Sequence, residues 1–150
     1  MSRFITLIVF IVFLQVIGYL LGTTFQADEW YDVLNKPFFN PPGWVFGAVW
    51  PILYMLIAVT GWRVLIAGGD TPGWGLWVAQ MIMNWAWTPL FFGAHMISWA
   101  MLLLFGTFVT ALAFTTATWD RDRLAAICFV PYVAWLGFAL LLNASIWLLN

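Results

Sequence analysis

Five long apolar runs, separated by short clusters of charged residues, constrain this chain more than any other feature of its sequence. Each run has about 20 residues or more, the length that an α-helix needs to cross roughly 30 Å of hydrocarbon. Transmembrane β-strands would be about 10 residues long with strict alternation, and that pattern is absent. The sequence therefore predicts an all-α membrane protein, a single domain over residues 1–150 built as a bundle of five transmembrane helices. The predicted spans are residues 4–23, 44–67, 74–94, 97–118 and 124–149.

Composition supports a membrane protein and excludes several other classes. Of the 150 residues, 65% are hydrophobic and only 7% are charged, against about 25% charged in an ordinary soluble domain. Five Lys and Arg residues against six Asp and Glu residues provide no basic surface for nucleic acid. The single cysteine, Cys128, excludes an internal disulfide and a thiolate metal cluster. A soluble enzyme and a nucleic-acid-binding protein are therefore excluded.

Charge distribution predicts how the helices are oriented. The first run continues to Leu21 with no small-residue cleavage site after it, so we expect a retained helix rather than a signal peptide. Five spans would place Arg3, Arg63, Arg121 and Arg123 on one side, together with the loop at 67–73. The other side would have only Lys36 as a basic residue. The positive-inside rule then predicts a cytoplasmic N-terminus, in a bacterial inner membrane.

Tryptophan is unusually abundant, with twelve residues in the chain. Eight lie near span ends, as expected of an interfacial belt. Four lie deeper, where each indole N–H needs a partner or a cavity. Four of the runs carry, at helical spacing, a face that mixes aromatics, small residues and an amide or hydroxyl, which favours either a pocket lining or contacts that bind helices together. These faces are Gln15/Gly18/Tyr19/Gly22, Trp50/Tyr54/Ala58/Gly61, Trp77/Gln80/Asn84/Trp87/Thr88 and Tyr132/Trp135/Ala139/Asn143.

The connection between the first two runs, residues 24–43, is long and contains the stiff sequence Asn40-Pro41-Pro42-Gly43. Trp30, Val33 and Leu34 have the spacing of one short amphipathic turn. We therefore expect an ordered loop that folds back on the bundle as a lid, although an ordered loop without a role is the alternative. Pro51, Pro89 and Pro131 lie within runs, and each removes a backbone hydrogen bond where a helix could kink and open space.

Three motifs, in order along nearly the whole chain, resemble the translocator protein family. This family is also called TspO/MBR, tryptophan-rich sensory protein or peripheral-type benzodiazepine receptor. The motifs occupy the loop and second run, the third run and the fifth run. They are Trp30-Tyr31…Lys36-Pro37…Asn40-Pro41-Pro42-x-Trp44-Val45-Phe46-Gly47…Val49-Trp50-Pro51-x-Leu53-Tyr54, then Asn84-Trp85-Ala86-Trp87-Thr88-Pro89-x-Phe91-Phe92-Gly93, then Pro131-Tyr132-x-x-Trp135…Leu142-Asn143.

The resemblance implies five transmembrane helices, usually a homodimer, and a pocket capped by the first loop. That pocket would bind porphyrins such as protoporphyrin IX or haem, sterols and benzodiazepine-type drugs. The family's pocket residues correspond to Trp50, Asn84, Trp87, Trp99 and Trp135. Some bacterial relatives are linked to light-dependent porphyrin breakdown, attributed to tryptophans matching Trp50 and Trp135. The complete set of candidate ligand-binding residues is Trp30, Tyr31, Trp50, Tyr54, Gln80, Asn84, Trp87, Trp99, Tyr132, Trp135 and Asn143.

One departure from animal members concerns sterols. Their fifth helix ends with a motif containing Tyr and then Arg, whereas here Asn143 is followed by Ala-Ser-Ile-Trp-Leu-Leu-Asn. We therefore rank porphyrin above cholesterol.

Other chemistry has little support in the sequence. His95, the only histidine, lies at the junction of two runs, and Cys128 lies in an apolar run where a thiol usually packs. We therefore predict no metal site, no obligatory cofactor and no axial haem ligand. No acidic residue lies deep in a span, which argues against an ion-coupled pump, and no triad or carboxylate pair supports hydrolysis.

Three functions remain open. The favoured one is a tetrapyrrole-binding sensor or carrier, the second is light-driven porphyrin degradation with Trp50 and Trp135 as candidate catalytic residues, and the third is a structural or transporter subunit without a small ligand. Gly106, Thr110 and Ala113 form a small-residue face on the fourth run. Such faces mediate close helix contacts, so we predict a homodimer through the third and fourth runs, with packing inside the bundle as the alternative.

Overall fold

The apolar runs fold as helices that lie side by side. A computed structural model describes residues 3–68 and 72–150. Within these residues, six α-helices and one π-helical turn follow one another. They are α1 (Arg3–Thr24), α2 (Glu29–Val33), α3 (Gly43–Ile66), α4 (Pro72–Thr88), the π turn (Pro89–Gly93), α5 (Ile97–Trp119) and α6 (Arg123–Leu149).

The predicted count of five transmembrane helices is wrong. Among the described residues, four helices are long and apolar enough to cross a membrane, namely α1, α3, α5 and α6. The predicted span 74–94 is divided between α4, which has 17 residues, and the π turn. α4 also contains Gln80, Asn84 and four tryptophans, so it is less apolar than its neighbours. The predicted loop 67–73 lies partly outside the described residues.

Pro89 marks the point where α4 changes to the π turn. Without an N–H, Pro89 cannot donate to the carbonyl of Trp85, four residues earlier. The N–H of Ala94 instead donates to the Pro89 carbonyl at 2.8 Å, an i→i+5 bond of the kind found in π-helices. By contrast, α3 and α6 continue through Pro51 and Pro131.

The long helices pack around a common centre. α1 contacts α3, α3 contacts α6, α6 contacts α5 and α5 contacts α4, while α4 also contacts α1 and α3. Ile57, Phe114, Phe129 and Leu136 are fully buried between them. At Gly61 a Cβ atom would overlap the Trp77 ring, so glycine allows α4 to approach α3 here.

One end of the bundle carries Arg3, Arg63, Arg121 and Arg123, and we call it the arginine end. The Trp62 indole donates to the Arg3 carbonyl at 3.0 Å. The Arg63 guanidinium donates to both carboxylate oxygens of Asp122 at 2.8 and 3.0 Å. Asp122 also caps α6 by accepting from the Ala125 N–H at 3.1 Å. Burial by itself would raise the pKa of Asp122, but the Arg63 guanidinium and the helix N–H groups lower it below its ordinary value.

The opposite end is covered by the loop between α1 and α3. The N–H of Asn35 donates to the Asn150 side-chain oxygen at 3.0 Å, and the Asn150 side-chain nitrogen donates to the Asn35 carbonyl at 3.0 Å. Arg3 and Asn150 therefore lie at opposite ends of the bundle.

Candidate ligand-binding cavity

A cavity of about 880 Å³ lies between the helices at the end covered by the loop. This volume falls within the roughly 300–1,000 Å³ typical of small-molecule sites. α1, α3, α4, the π turn and α6 form its walls, with Leu104 contributed by α5. Its aromatic lining residues are Tyr19, Phe25, Tyr31, Phe46, Trp50, Tyr54, Trp87, Phe91, Phe92 and Trp135.

The cavity wall is uncharged. None of the described residues that line it is Asp, Glu, Lys, Arg, His or Cys. Its polar groups are amides and hydroxyls, including those of Gln15, Asn84 and Asn143. Across the described residues, no group of three His, Cys, Asp or Glu side chains is placed to hold a metal ion. The wall therefore suits a neutral, largely apolar ligand.

Seven of the eleven candidate ligand-binding residues line this cavity. They are Tyr31, Trp50, Tyr54, Asn84, Trp87, Trp135 and Asn143. Gln80 and Tyr132 are fully buried instead, beneath Asn84, where they form part of the cavity floor described below. Trp30 lies in the loop on the far side of Phe91. Ligand contact by these residues stays a prediction.

Trp99 lies outside the cavity and is 61% exposed. It borders a separate, open depression of about 410 Å³ beside His95 and Trp147.

The wall from α1 was not among the predicted site residues. Gln15, Gly18, Tyr19 and Gly22 line the cavity, and their helical spacing was the available signal. Phe46 lies one turn before Trp50, and Phe91 and Phe92 project from the π turn. An aromatic residue in an apolar run gives no sign of which side faces an opening, so these three could not be singled out.

A roof loop, residues 25–42, folds back over the cavity as expected. Phe25, Tyr31 and Asn40–Pro42 line it from above. Trp30 and Tyr31 of α2, and Leu34 directly after it, pack against Phe91 and its neighbours. Val33, which was expected on the same face, is 79% exposed.

His95 lies at the junction of the π turn and α5, and its side chain contacts the roof loop. Its backbone has φ +57°, an uncommon conformation that directs its ring toward α2. The ring stacks on Trp30 with 4.1 Å between centroids and 11° between planes. His95 Nε2 lies 3.3 Å from the Asp28 carboxylate, and Asp28 also caps α2 through the Tyr31 N–H.

The cavity floor is a chain of hydrogen bonds between α3, α4 and α6. The Tyr54 hydroxyl donates to Asn84 Oδ1 at 3.0 Å, and Asn84 Nδ2 donates to the Tyr132 hydroxyl at 3.0 Å. The Tyr132 hydroxyl donates to Gln80 Oε1 at 2.8 Å, and Gln80 Nε2 donates to the Trp77 carbonyl at 3.0 Å. Buried polar groups need such partners, so the network joins three helices below the cavity.

A second polar link crosses the cavity wall near the roof loop. The Trp87 indole donates to Asn143 Oδ1 at 3.1 Å, and Asn143 Nδ2 donates to the Ile97 carbonyl at 3.2 Å. This link joins α4, α6 and the start of α5. Trp87 also stacks on Phe91 with 4.9 Å between ring centroids.

Trp50 and Trp135 both present their rings to the cavity. The ring centroids of Trp50 and Tyr54 lie 5.4 Å apart, and those of Trp135 and Phe46 lie 5.7 Å apart. The Trp135 indole nitrogen is buried and has no hydrogen-bond partner among the described residues. Its ring therefore contributes aromatic surface without a polar anchor.

The predicted dimer residues lie on α5, which packs against α4 of the same chain. A Cβ atom at Gly106 would lie 3.4 Å from Met83 Sδ of α4. Thr110 and Ala113 are half-buried. At Gly106, packing inside the bundle therefore occurs, and the homodimer stays a prediction.

Comparison with known sequences places this arrangement in a family. Residues 7–148 match the TspO/MBR family over nearly the whole chain. The chain belongs to the TspO/MBR family. The resemblance inferred from the three motifs is thereby confirmed.

Named relatives of this TspO/MBR chain come from bacteria and animals. Protein CrtK of Rhodobacter capsulatus is 37% identical over 133 residues, which cover 86% of this chain and 83% of the relative. The tryptophan-rich sensory protein of Cereibacter sphaeroides is 36% identical, covering 86% and 82%. The translocator protein of Homo sapiens is 38% identical, covering 87% and 82%. Family membership and the apolar helices identify an integral membrane protein and support a sensor or receptor role.

Proposed function

We propose that this chain is a membrane receptor or carrier for planar tetrapyrroles such as protoporphyrin IX, and for other hydrophobic ligands such as sterols and benzodiazepine-type drugs. The observation that carries the proposal is the cavity of about 880 Å³ with ten aromatic side chains on its wall. Indole and phenyl rings stack on a flat macrocycle with little dependence on its substituents. Regulation or transport of porphyrins is the physiological role that such binding would serve.

The composition of the wall also supports an orientation for a bound porphyrin. The porphyrin carboxylates would face the roof loop and the adjoining end of α1, where Gln26, Asn40 and Thr23 are polar wall residues, because no described wall residue is a cation. No described wall residue is His or Cys either, so the iron of haem would gain no axial ligand from them. We therefore expect metal-free protoporphyrin to bind about as tightly as haem.

Titration of purified protein with protoporphyrin in the dark tests this proposal. We expect a red-shifted, saturable absorption band that weakens at least tenfold in Trp50→Ala, equivalent to about 1.4 kcal/mol. Trp119→Ala, at the arginine end, is the matched control and should bind normally. A lack of saturable binding by the unmutated protein would favour a structural or transporter subunit without a small ligand.

A second candidate activity is light-driven porphyrin degradation, favoured by the position of both Trp50 and Trp135 on the cavity wall. An excited porphyrin would take one electron from an indole, which gives a porphyrin radical anion and an indole radical cation. Phe keeps the aromatic surface but is a much poorer electron donor. Trp50→Phe and Trp135→Phe should leave dark binding within roughly tenfold and sharply reduce bleaching in light. Bleaching of the double variant at the unmutated rate would eliminate this activity.

We also propose that the arginine end faces the cytoplasm of a bacterial inner membrane, because basic residues favour that side. Single-cysteine variants in a Cys128→Ala background test the orientation with an impermeant thiol reagent. Phe38→Cys, on the roof loop, should be labelled in intact spheroplasts, and Asp120→Cys only after lysis. The reverse pattern would invert the orientation.

A further inference from the structure

The roof loop contains a tight turn with phenylalanine at both of its central positions. The Asn40 N–H donates to the Pro37 carbonyl at 3.0 Å, which closes a four-residue turn around Phe38 and Phe39. Glycine, proline and small polar residues dominate such positions, and connecting segments normally run over a water-exposed surface. Two adjacent phenylalanines therefore indicate different surroundings for residues 37–40, which we call the phenylalanine turn.

The two rings of this turn have different environments. The Phe39 ring packs on the bundle, with 6.5 Å between its centroid and that of Phe138 on α6. The Phe38 ring contacts Phe39 at 5.2 Å between centroids, yet its residue is 100% exposed. No described part of the chain covers Phe38, so its apolar surface is left for a partner outside the protein.

Helix length places the phenylalanine turn at the level of a membrane surface. The ion pair between Arg63 and Asp122 marks the surface at the arginine end, because charged groups avoid hydrocarbon. From Arg63 back to Gly43, where it begins, α3 rises about 30 Å. This rise equals the roughly 30 Å thickness of the hydrocarbon core. The turn directly precedes Gly43 and therefore lies near the opposite boundary of that core.

The longer helix α6 shows that the turn lies below the top of the roof loop. From Asp122 to Asn150, α6 rises about 40 Å, which is about 10 Å more than α3. Asn35 is bonded to Asn150 at this far end. Phe39 instead contacts Phe138, which lies about 18 Å closer to the arginine end along α6. Between Asn35 and Phe39 the chain therefore descends along the bundle toward the bilayer.

The surroundings of the turn are apolar and uncharged. No charged residue occurs between Lys36 and Arg63, and the Lys36 ammonium group is bonded to two carbonyls of the loop itself. Trp44, in the first turn of α3, is 74% exposed, and Ile52 and Met55 are exposed further along the same helix. The exposed surface of the turn is thus continuous in sequence with the lipid-facing surface of a membrane-spanning helix.

We propose that the phenylalanine turn anchors the roof loop in the bilayer, with the Phe38 ring inserted among the acyl chains of the adjacent leaflet. The backbone of the turn would stay at headgroup level, in contact with water, and only the ring would reach the hydrocarbon. The partner is the lipid surface itself, and no bound ligand is required. The membrane would then support the roof loop in addition to the contacts with His95 and Asn150.

Quenching by labelled lipids tests the anchor. The fluorophore NBD is attached to Phe38→Cys in a Cys128→Ala background, and the full chain is placed in phosphatidylcholine nanodiscs that carry a nitroxide near the start of the acyl chain. Glu29→Cys, at the exposed start of α2 in the same loop, is the matched control. We expect several-fold stronger quenching and a blue-shifted emission at position 38.

Two results of this experiment would overturn the anchor. One is equal quenching at the two positions. The other is a blue shift at position 38 without quenching by lipid, which would mean that protein, such as a second copy of the chain, covers Phe38.

Hydrogen exchange in nanodiscs tests the anchor without a label. Phe38→Ser removes the ring, whereas Phe38→Leu keeps an apolar side chain, and the full exposure of Phe38 means that neither change should disturb the fold. We expect several-fold faster amide exchange over residues 35–42 in Phe38→Ser and nearly unchanged exchange in Phe38→Leu. Equal exchange in Phe38→Ser and the parent would show that the ring does not hold the loop, and the proposal would fail.

Discussion

At the scale of single residues, tryptophans on the same cavity wall differ in the contacts of their indole N–H groups. The Trp87 N–H donates to Asn143 at 3.1 Å, whereas the buried Trp135 N–H has no partner among the described residues. A buried donor with a partner stabilises the fold, while one without a partner has already lost its hydration. The same substitution should therefore have different effects at the two positions.

We expect Trp87→Phe to lower the free energy of unfolding by about 0.5–1.5 kcal/mol, because Asn143 Oδ1 loses its donor. Trp135→Phe should be neutral or slightly stabilising, since it removes an unpaired N–H and keeps an aromatic ring. Denaturant unfolding in detergent, followed by circular dichroism, measures both. A larger loss for Trp135→Phe would contradict this assignment.

Asn84→Leu should weaken both ligand binding and stability. Leucine has the same branching at Cγ but leaves the Tyr54 hydroxyl proton without an acceptor, which costs about 1–3 kcal/mol. We expect a lower thermal midpoint and weaker binding of protoporphyrin. Unchanged stability would mean that the Tyr54 hydroxyl finds another partner, and the floor network would not be structural.

At the scale of helices, the contact between α1 and α3 positions Tyr54 at the cavity. A Cβ atom at Gly18 would overlap the Tyr54 ring, so the glycine lets Tyr54 lie flat against α1 and keep its bond to Asn84. The contact depends on the absence of a side chain, which is a common device for close helix approach in membranes.

Gly18→Ala should therefore push Tyr54 into the cavity and break its bond to Asn84. We expect at least a tenfold loss of protoporphyrin affinity, about 1.4 kcal/mol. Gly75→Ala is the matched control, near the start of α4 and outside the cavity wall, where a Cβ would have nothing within 4 Å. Equal effects of the two substitutions would show that the Tyr54 position is unimportant for binding.

Because Asp122 caps the start of α6, the free energy of unfolding should depend on pH. Because the folded-state pKa of Asp122 lies below its ordinary value, its contribution is complete above about pH 4 and is lost as the pH falls through the folded pKa. Asp122→Asn should cost about 1 kcal/mol at pH 7, as expected of a partly exposed pair and cap. The difference in free energy of unfolding between Asp122→Asn and the parent should shrink below pH 4. A difference that stays constant with pH would mean that the charge of the Asp122 carboxylate does not stabilise the fold.

The third apolar run shows why helices are harder to count than apolar runs. The length of this run over residues 74–94 was evident. Its division at Pro89 depends on whether the backbone hydrogen bonds change from the α-helical to the i→i+5 pattern. Hydropathy does not report the hydrogen-bond pattern. The presence of proline does not decide it either, because the helix continues through both Pro51 and Pro131. By contrast, helical spacing within α4 correctly grouped Gln80, Asn84 and Trp87 on the side that faces the network and the cavity.

At the scale of the whole molecule, the cavity is formed by residues far apart in sequence. Tyr54, Asn84 and Trp135 were indicated by their residue types within apolar runs. Spacing grouped the α1 face, but which helices it packs against and the contact between His95 and Trp30 depend on the tertiary arrangement, and spacing along one helix cannot reveal that. Trp99 shows the reverse case, because it matches a family position yet faces away from the cavity.

Gly106→Leu should produce monomers on native sizing in detergent if α5 forms the predicted dimer face. Because Gly106 also contacts Met83 of its own chain, Ala113→Leu, on the same face and half-buried, is the second variant. We expect both to give monomers that still bind protoporphyrin. A dimer that persists in both variants would place the interface elsewhere.

The roof loop has a kinetic consequence that affinity measurements would miss. It is attached at two separate places, through Trp30 on His95 and through Asn35 on Asn150, so a ligand that leaves past the loop needs contacts at two places to open together. The need for the loop to open slows the release and the capture of a ligand by the same factor, so this factor cancels from the equilibrium constant. Each ligand would then be held longer than an open cavity of the same affinity would hold it, which suits a receptor that reports on past exposure as well as on present concentration.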